Sequence, residues 1–284
     1  MQDAETRRPT RIGLWCAGVG LVVAVLAVLA VNGEVAAGTL TDAHLSVLLA
    51  YGATWVPMLG AVIVFAALAR GHGAGAVLGI RFRWIDLLWG GAIGILARVV
   101  ASIVSLAVYG TTGLVGQPLI GGIDGWYVFG MLIAPVLIAP LIEEGFFRGL
   151  MQGSLQLRLG AGAGASYAAA GLEAAAGAAG VGAAAGVGAA PEAADGGADT
   201  GAVPNGSRSR GVAIFGAVAA TSVVFMAVHL IGVTSPTDAL VLGLPLLLFA
   251  IGAGVARAYT GRIGGAVVAH VMFNGSAVLL MWPW

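Results

Sequence analysis

Three short polar motifs interrupt otherwise apolar stretches: Glu143-Glu144 followed by Arg148, Phe225 followed by His229, and His270 followed by Asn274. Within each motif the polar or aromatic partners stand four residues apart, so on a helix they share one face. A carboxylate, two imidazoles and a carboxamide are the groups that hydrolysis requires. A carboxylate takes a proton from water, an imidazole assists or orients it, and N–H donors receive the charge that develops on a carbonyl oxygen.

The surrounding sequence explains why these residues stand out. The chain has 284 residues, of which 59% are hydrophobic and 9% charged, with a mean hydropathy of +0.98. Soluble domains carry about 25% charged residues, so this is the composition of a membrane protein built from several spans. An ionisable side chain at the centre of a bilayer costs about 3 kcal/mol or more, which makes each one a candidate functional residue. Formal net charge is +0, so nothing indicates nucleic acid as a partner. All 13 basic residues are Arg, which with the Ala and Gly excess fits a GC-rich, bacterial genome. Cys16 is the only cysteine, which excludes an intrachain disulfide and a thiolate metal cluster.

Seven stretches are long enough to cross a bilayer, at residues 13–31, 45–69, 86–110, 125–155, 211–231, 238–259 and 262–282. The expected fold is an all-α transmembrane bundle of about seven spans, with room for an eighth, short segment. The fourth stretch is long enough to tilt, to project beyond the membrane or to break. The first is too long for the apolar core of a secretory signal, so it is expected to stay as an uncleaved helix. Arg7, Arg8 and Arg11 precede span one, and Arg70, Arg81 and Arg83 follow span two. Arg158, Arg208 and Arg210 follow span four, and Arg257 and Arg262 flank the last connection, whereas the alternate loops carry Glu34, Asp42, Asp124 and Asp238. The positive-inside rule then places the chain in a cell membrane with its N-terminus in the cytoplasm and its C-terminus outside. Lipids are therefore its constant neighbours.

Residues 159–210 are mostly Ala and Gly with scattered Pro191, Pro204, Glu192, Asp195 and Asp199. They offer few large side chains to bury, and their glycines disfavour a helix. The expectation is a low-complexity cytoplasmic linker inserted into one membrane domain, between residues 1–158 and 211–284.

Helix geometry divides the two glutamates. Glu144 meets Arg148, and the two charges neutralise one another. Glu143, about 100° around the axis, points elsewhere and is left for chemistry. With a rise of 1.5 Å per residue, Glu143, His229 and Asn274 fall at roughly 18, 27 and 18 Å from the cytoplasmic or leading ends of their spans, compatible with one layer. In that layer Glu143 would activate water beside His229, while His270 and Asn274 would donate to the oxyanion. Taken singly, each motif also fits the bland reading of a buried pair or an interhelical hydrogen bond. Arg98, in the middle of span three, is expected to face the bundle and contact Glu144 or backbone carbonyls. His44 and His72 fall in expected loops, and Gly90, Gly91 and Gly94 suggest close helix contact.

The ordered set Glu143-Glu144-Gly-Phe-Phe-Arg148, Phe225-Met-Ala-Val-His229 and His270-Val-Met-Phe-Asn274 resembles the CAAX-protease and bacteriocin-processing (CPBP, or ABI) family of intramembrane endopeptidases. The stretch from Leu248 through Tyr259-Thr-Gly261 to Asn274 is similar to that family's final segment. The resemblance covers roughly residues 86–282, and the first two spans carry no motif. It implies hydrolysis of a peptide bond in a peptide or membrane-protein substrate, with Glu143 and His229 on the water, His270 and Asn274 on the oxyanion, and Glu144–Arg148 as a structural pair. The long linker departs from the family's pattern. Two mechanisms stand open: a metal-free one, which is favoured, and one in which Glu143, His229 and His270 hold zinc. No HExxH is present. Two other classes of function compete, a non-enzymatic immunity or scaffold protein of the same fold and a transporter or channel using the polar layer as a pathway.

Overall fold

The computed structural model of the chain describes residues 2–70, 73–112, 114, 124–159 and 205–282. Eight helices make up the fold among these residues: α1 (Gln2–Ala36), α2 (Ala43–Leu68), α3 (Ala74–Leu78), α4 (Ile85–Tyr109), α5 (Gly125–Arg158), α6 (Asn205–His229), α7 (Pro236–Thr260) and α8 (Gly264–Met281). All but α3 are long and apolar enough to cross a membrane, which makes this a multi-pass membrane protein. The eighth segment is α3, whose five residues are far too few to span. His72 and the Ala/Gly-rich stretch expected as a linker lie outside the described residues, apart from Leu159 and the start of α6.

Sequence signals set the helix ends. Asp42 caps α2 by accepting from the Leu45 N–H at 2.8 Å, and Asp124 caps α5 by accepting from Tyr127 N–H at 2.7 Å. Ser235 caps α7 ahead of Pro236, which occupies the first helical position, where its missing N–H costs nothing. Gly110 and Gly261, at φ 71° and 67°, end α4 and α7 in the left-handed conformation. His44 was expected in a loop. It instead stands in the first turn of α2, because Asp42 starts that helix just before it, and it stacks on Trp126 at 4.7 Å.

The spans pack in two groups joined through α5. α1 lies against α2, α4 against α8, and α7 touches α4, α6 and α8. Lipid tails are as apolar as Leu, so burial alone does not hold membrane helices together; close approach of small residues does. Gly90 and Gly94 illustrate this. A Cβ on either would stand 2.6 Å from the Gly265 carbonyl oxygen or 2.4 Å from that of Ala269, so α4 and α8 meet backbone to backbone there. Gly91 faces open space, because one residue's rotation turns it off the contact stripe.

The long fourth span neither breaks nor stops. It is continuous from Gly125 to Arg158 but changes pitch twice, with π-helical stretches at Phe129–Ile138 and Gly145–Gln152 on either side of a short α-helical segment, Ala139–Glu144. In the first stretch Ala139 N–H donates to the Ala134 carbonyl, five residues back. Residues 145–153 are wholly buried, which makes this half of α5 the central post of the bundle.

Candidate active site

Glu144 is fully buried and is held by two side chains. Its Oε2 lies 3.2 Å from Arg148 Nε, its Oε1 accepts from Arg148 Nη1 at 3.2 Å, and His270 Nδ1 stands 2.9 Å from the same Oε1. A carboxylate facing a guanidinium only accepts, so His270 Nδ1 bears the proton in that contact. Arg148, only 1% exposed, also donates from Nη2 to the Ala250 carbonyl at 3.3 Å and lies 4.3 Å over the ring of Phe225. The i,i+4 pairing expected from the sequence is present, and it also fixes the orientation of His270.

Glu143 points away from this cluster. Its Oε2 lies 3.5 Å from His229 Nε2 and accepts no hydrogen bond from the protein. His229 ends α6, and its Nδ1 donates to the Phe225 carbonyl at 2.7 Å; a carbonyl cannot donate, so that nitrogen carries a proton. A neutral His229 therefore turns its lone pair towards Glu143. Two facing acceptors need a donor between them, either a proton held by one partner or a water molecule bonded to both.

Glu143 and His229 line a cavity of about 210 Å³. α1 contributes Leu21, Ala24, Val25 and Val28, and α2 contributes Tyr51, Thr54, Trp55 and Met58. Each set follows the i, i+3, i+4, i+7 spacing of a single helix face. The α1 wall is apolar, whereas α2 brings two hydroxyls and an indole to the same space as the acid. Phe147, Val228 and Ile231 complete the lining.

The other two candidates lie outside this lining. His270 is held by Glu144, and Asn274 Nδ2 donates to the Pro135 carbonyl at 2.8 Å. His229 and His270 approach a common aromatic cluster, with ring centroids 4.3 and 5.9 Å from that of Phe225. Arg98 takes the carbonyl alternative, donating from Nη2 and Nε to the Phe273 carbonyl at 2.7 and 3.2 Å and lying 4.2 Å over the Phe273 ring. Glu144 is occupied by Arg148 and His270 instead.

Among the described residues no three His, Cys, Asp or Glu side chains come together as a metal-binding group. Glu143, His229 and His270 are not gathered into such a group, although the Nδ1 contact with Glu144 leaves the Nε2 of His270 free.

Residues 201–276 match the family model described as type II CAAX prenyl endopeptidase Rce1-like. The chain is similar to the Rce1-like endopeptidases over this segment. The matched segment is about a quarter of its length and includes both the Phe225/His229 and the His270/Asn274 motifs. Glu143, Glu144 and Arg148 lie before it; the fold brings Glu143 to His229 and Glu144 to His270. No curated protein and no solved structure matches the chain.

The motif-bearing spans were readable in advance, but the cavity's other wall was not. Nothing in the order of motifs points to α1 or α2. The available signal was Trp55, an indole placed well inside a span and away from the interfaces where the other tryptophans gather, with Tyr51 and Thr54 on its face.

Proposed function

We propose that the chain is an intramembrane endopeptidase that hydrolyses peptide bonds with a water activated by Glu143. The observation that carries this reading is the orphaned Oε2 of Glu143, 3.5 Å from His229 Nε2 on the wall of a cavity inside the bundle. Buried acceptors are normally satisfied, and an exception calls for a task. The Rce1-like match over residues 201–276 supports a peptide as the substrate.

In the reaction, water between Glu143 and the scissile carbonyl gives its proton to Glu143 as its oxygen bonds to the carbonyl carbon. The carbonyl becomes an oxyanion. When the C–N bond breaks, that proton passes to the leaving amine, and the new carboxylic acid then gives its own proton to the amine, leaving a carboxylate and an ammonium. His229, fixed by the Phe225 carbonyl, keeps Nε2 on the water and shares its proton. His270, as an imidazolium donating from both Nδ1 to Glu144 and Nε2, and Asn274 through its second amide hydrogen are assigned to the oxyanion. Glu144 and Arg148 hold His270 in place. The donor arrangement around Glu143 and His229 supports the metal-free route.

The test compares membranes containing the wild-type chain with membranes containing Glu143→Gln by mass spectrometry of newly formed peptide termini. Termini present only with the wild type support the hydrolase. A cellular phenotype that survives Glu143→Gln, with no such termini, establishes the non-enzymatic reading. The same positive charge pattern supports an N-terminus in the cytoplasm.

A further inference from the structure

The wide-pitched part of α5 has an arrangement that the reaction does not by itself require. In an i→i−5 helix a proline leaves the carbonyl five residues back without its donor. Pro135 and Pro140 are spaced so that the carbonyls of Gly130 and Pro135 are the two affected. The α-helical donor to the Pro135 carbonyl is also lost, because Ala139 N–H goes to Ala134. Both freed carbonyls are taken by side chains from other helices. Tyr51 of α2 donates to Gly130 at 2.9 Å, and Asn274 of α8 donates to Pro135 at 2.8 Å. The Tyr51 ring is itself fixed, stacked on Trp55 at 4.4 Å and edge-on to Phe129 at 6.3 Å.

Pitch controls direction. A wide turn holds one residue more than an α turn, so every later side chain is rotated by about 100° from its place in an uninterrupted α-helix. Glu143 lies three residues after Pro140. If one wide turn closed, Glu143 would swing to the direction that Glu144 now takes, away from His229, and Ile142 would face the cavity. The pitch of this stretch therefore decides whether Glu143 or Ile142 faces His229.

We propose that Tyr51 is a positioning residue: by taking the Gly130 carbonyl that Pro135 leaves without a helical donor, it locks the wide turn and so aims Glu143 at His229. The proposal deepens the hydrolase reading, and its first test does not depend on that reading. In a Cys16→Ala, Glu143→Cys chain reconstituted in lipid, the rate of labelling by N-ethylmaleimide reports whether position 143 faces the cavity. Adding Tyr51→Phe, which removes one oxygen, lowers that rate severalfold.

In the chain with Glu143 intact, Tyr51→Phe lowers kcat by at least roughly 100-fold with KM unchanged, since a misplacement of only about 1 Å already costs that much. The substrate for that assay is an internally quenched peptide carrying a cleavage site found in the membrane comparison. Unchanged labelling in folded Tyr51→Phe overturns the proposal. A wild-type chain that cleaves nothing overturns the hydrolase reading alone, since the labelling result stands without it.

Discussion

Glu144 and Glu143 are neighbours in sequence, and replacing each by Gln separates structure from chemistry. Glu144 is 0% exposed and is the only carboxylate in ion-pair contact with Arg148 among the described residues. Glu144→Gln leaves a guanidinium, itself 1% exposed, with the Ala250 carbonyl and aromatic rings but no counter-charge. Removing one partner of a buried pair costs about 3–5 kcal/mol, because the remaining charge stays desolvated. Glu143→Gln removes only a 3.5 Å contact with a histidine whose side chain is 31% exposed, worth about 1 kcal/mol or less. The assay is thermal unfolding of detergent-purified protein followed by fluorescence-detected size exclusion. Glu144→Gln is expected to melt well below the wild type and Glu143→Gln close to it. The double change Glu144→Gln/Arg148→Met, which removes both charges, is expected to recover much of the loss. Equal melting of the two single variants would refute the division of labour.

Three further outcomes follow from the geometry. Gly94→Ala puts a methyl 2.4 Å from the Ala269 carbonyl oxygen and is expected to cost about 1–3 kcal/mol in the same melt, whereas Gly91→Ala, facing open space, leaves it unchanged. Incubation with a strong zinc chelator is expected to leave cleavage intact, since no three-donor group forms around Glu143 and His229; loss of cleavage that zinc restores would show that the donors rearrange. On a Cys16→Ala background, Leu159→Cys is expected to react with an impermeant maleimide from the cytoplasmic side only and Ala37→Cys from the opposite side only, and the reverse pattern would overturn the proposed orientation.

Much of the fold was legible because hydrocarbon imposes one rule, that backbone groups be satisfied within each span. Apolar runs of sufficient length therefore mark α1, α2, α4, α5, α6, α7 and α8 directly. The i,i+4 rule likewise separated Glu144, which pairs with Arg148, from Glu143, which does not. What spacing could not show is pitch. Depth estimates assume 1.5 Å per residue, and the wide turns around Glu143 break that assumption. They also could not show that His270 and Asn274 carry bonds of their own, to Glu144 and to the Pro135 carbonyl, because both partners are distant in sequence. Gly91 failed as a contact residue because composition marks a glycine without saying which way it faces. The α1 and α2 walls of the cavity carry no titratable motif, and their stripes look like ordinary packing until the cavity is seen.

The most direct test of the account uses purified protein in lipid nanodiscs and a peptide whose cleavage site was found in membranes. Wild-type protein is expected to release the two fragments, and Glu143→Gln, melting at the same temperature, to release none. Fragments formed at the wild-type rate by Glu143→Gln would contradict the assignment of the water-activating base and, with it, the proposed function of the site.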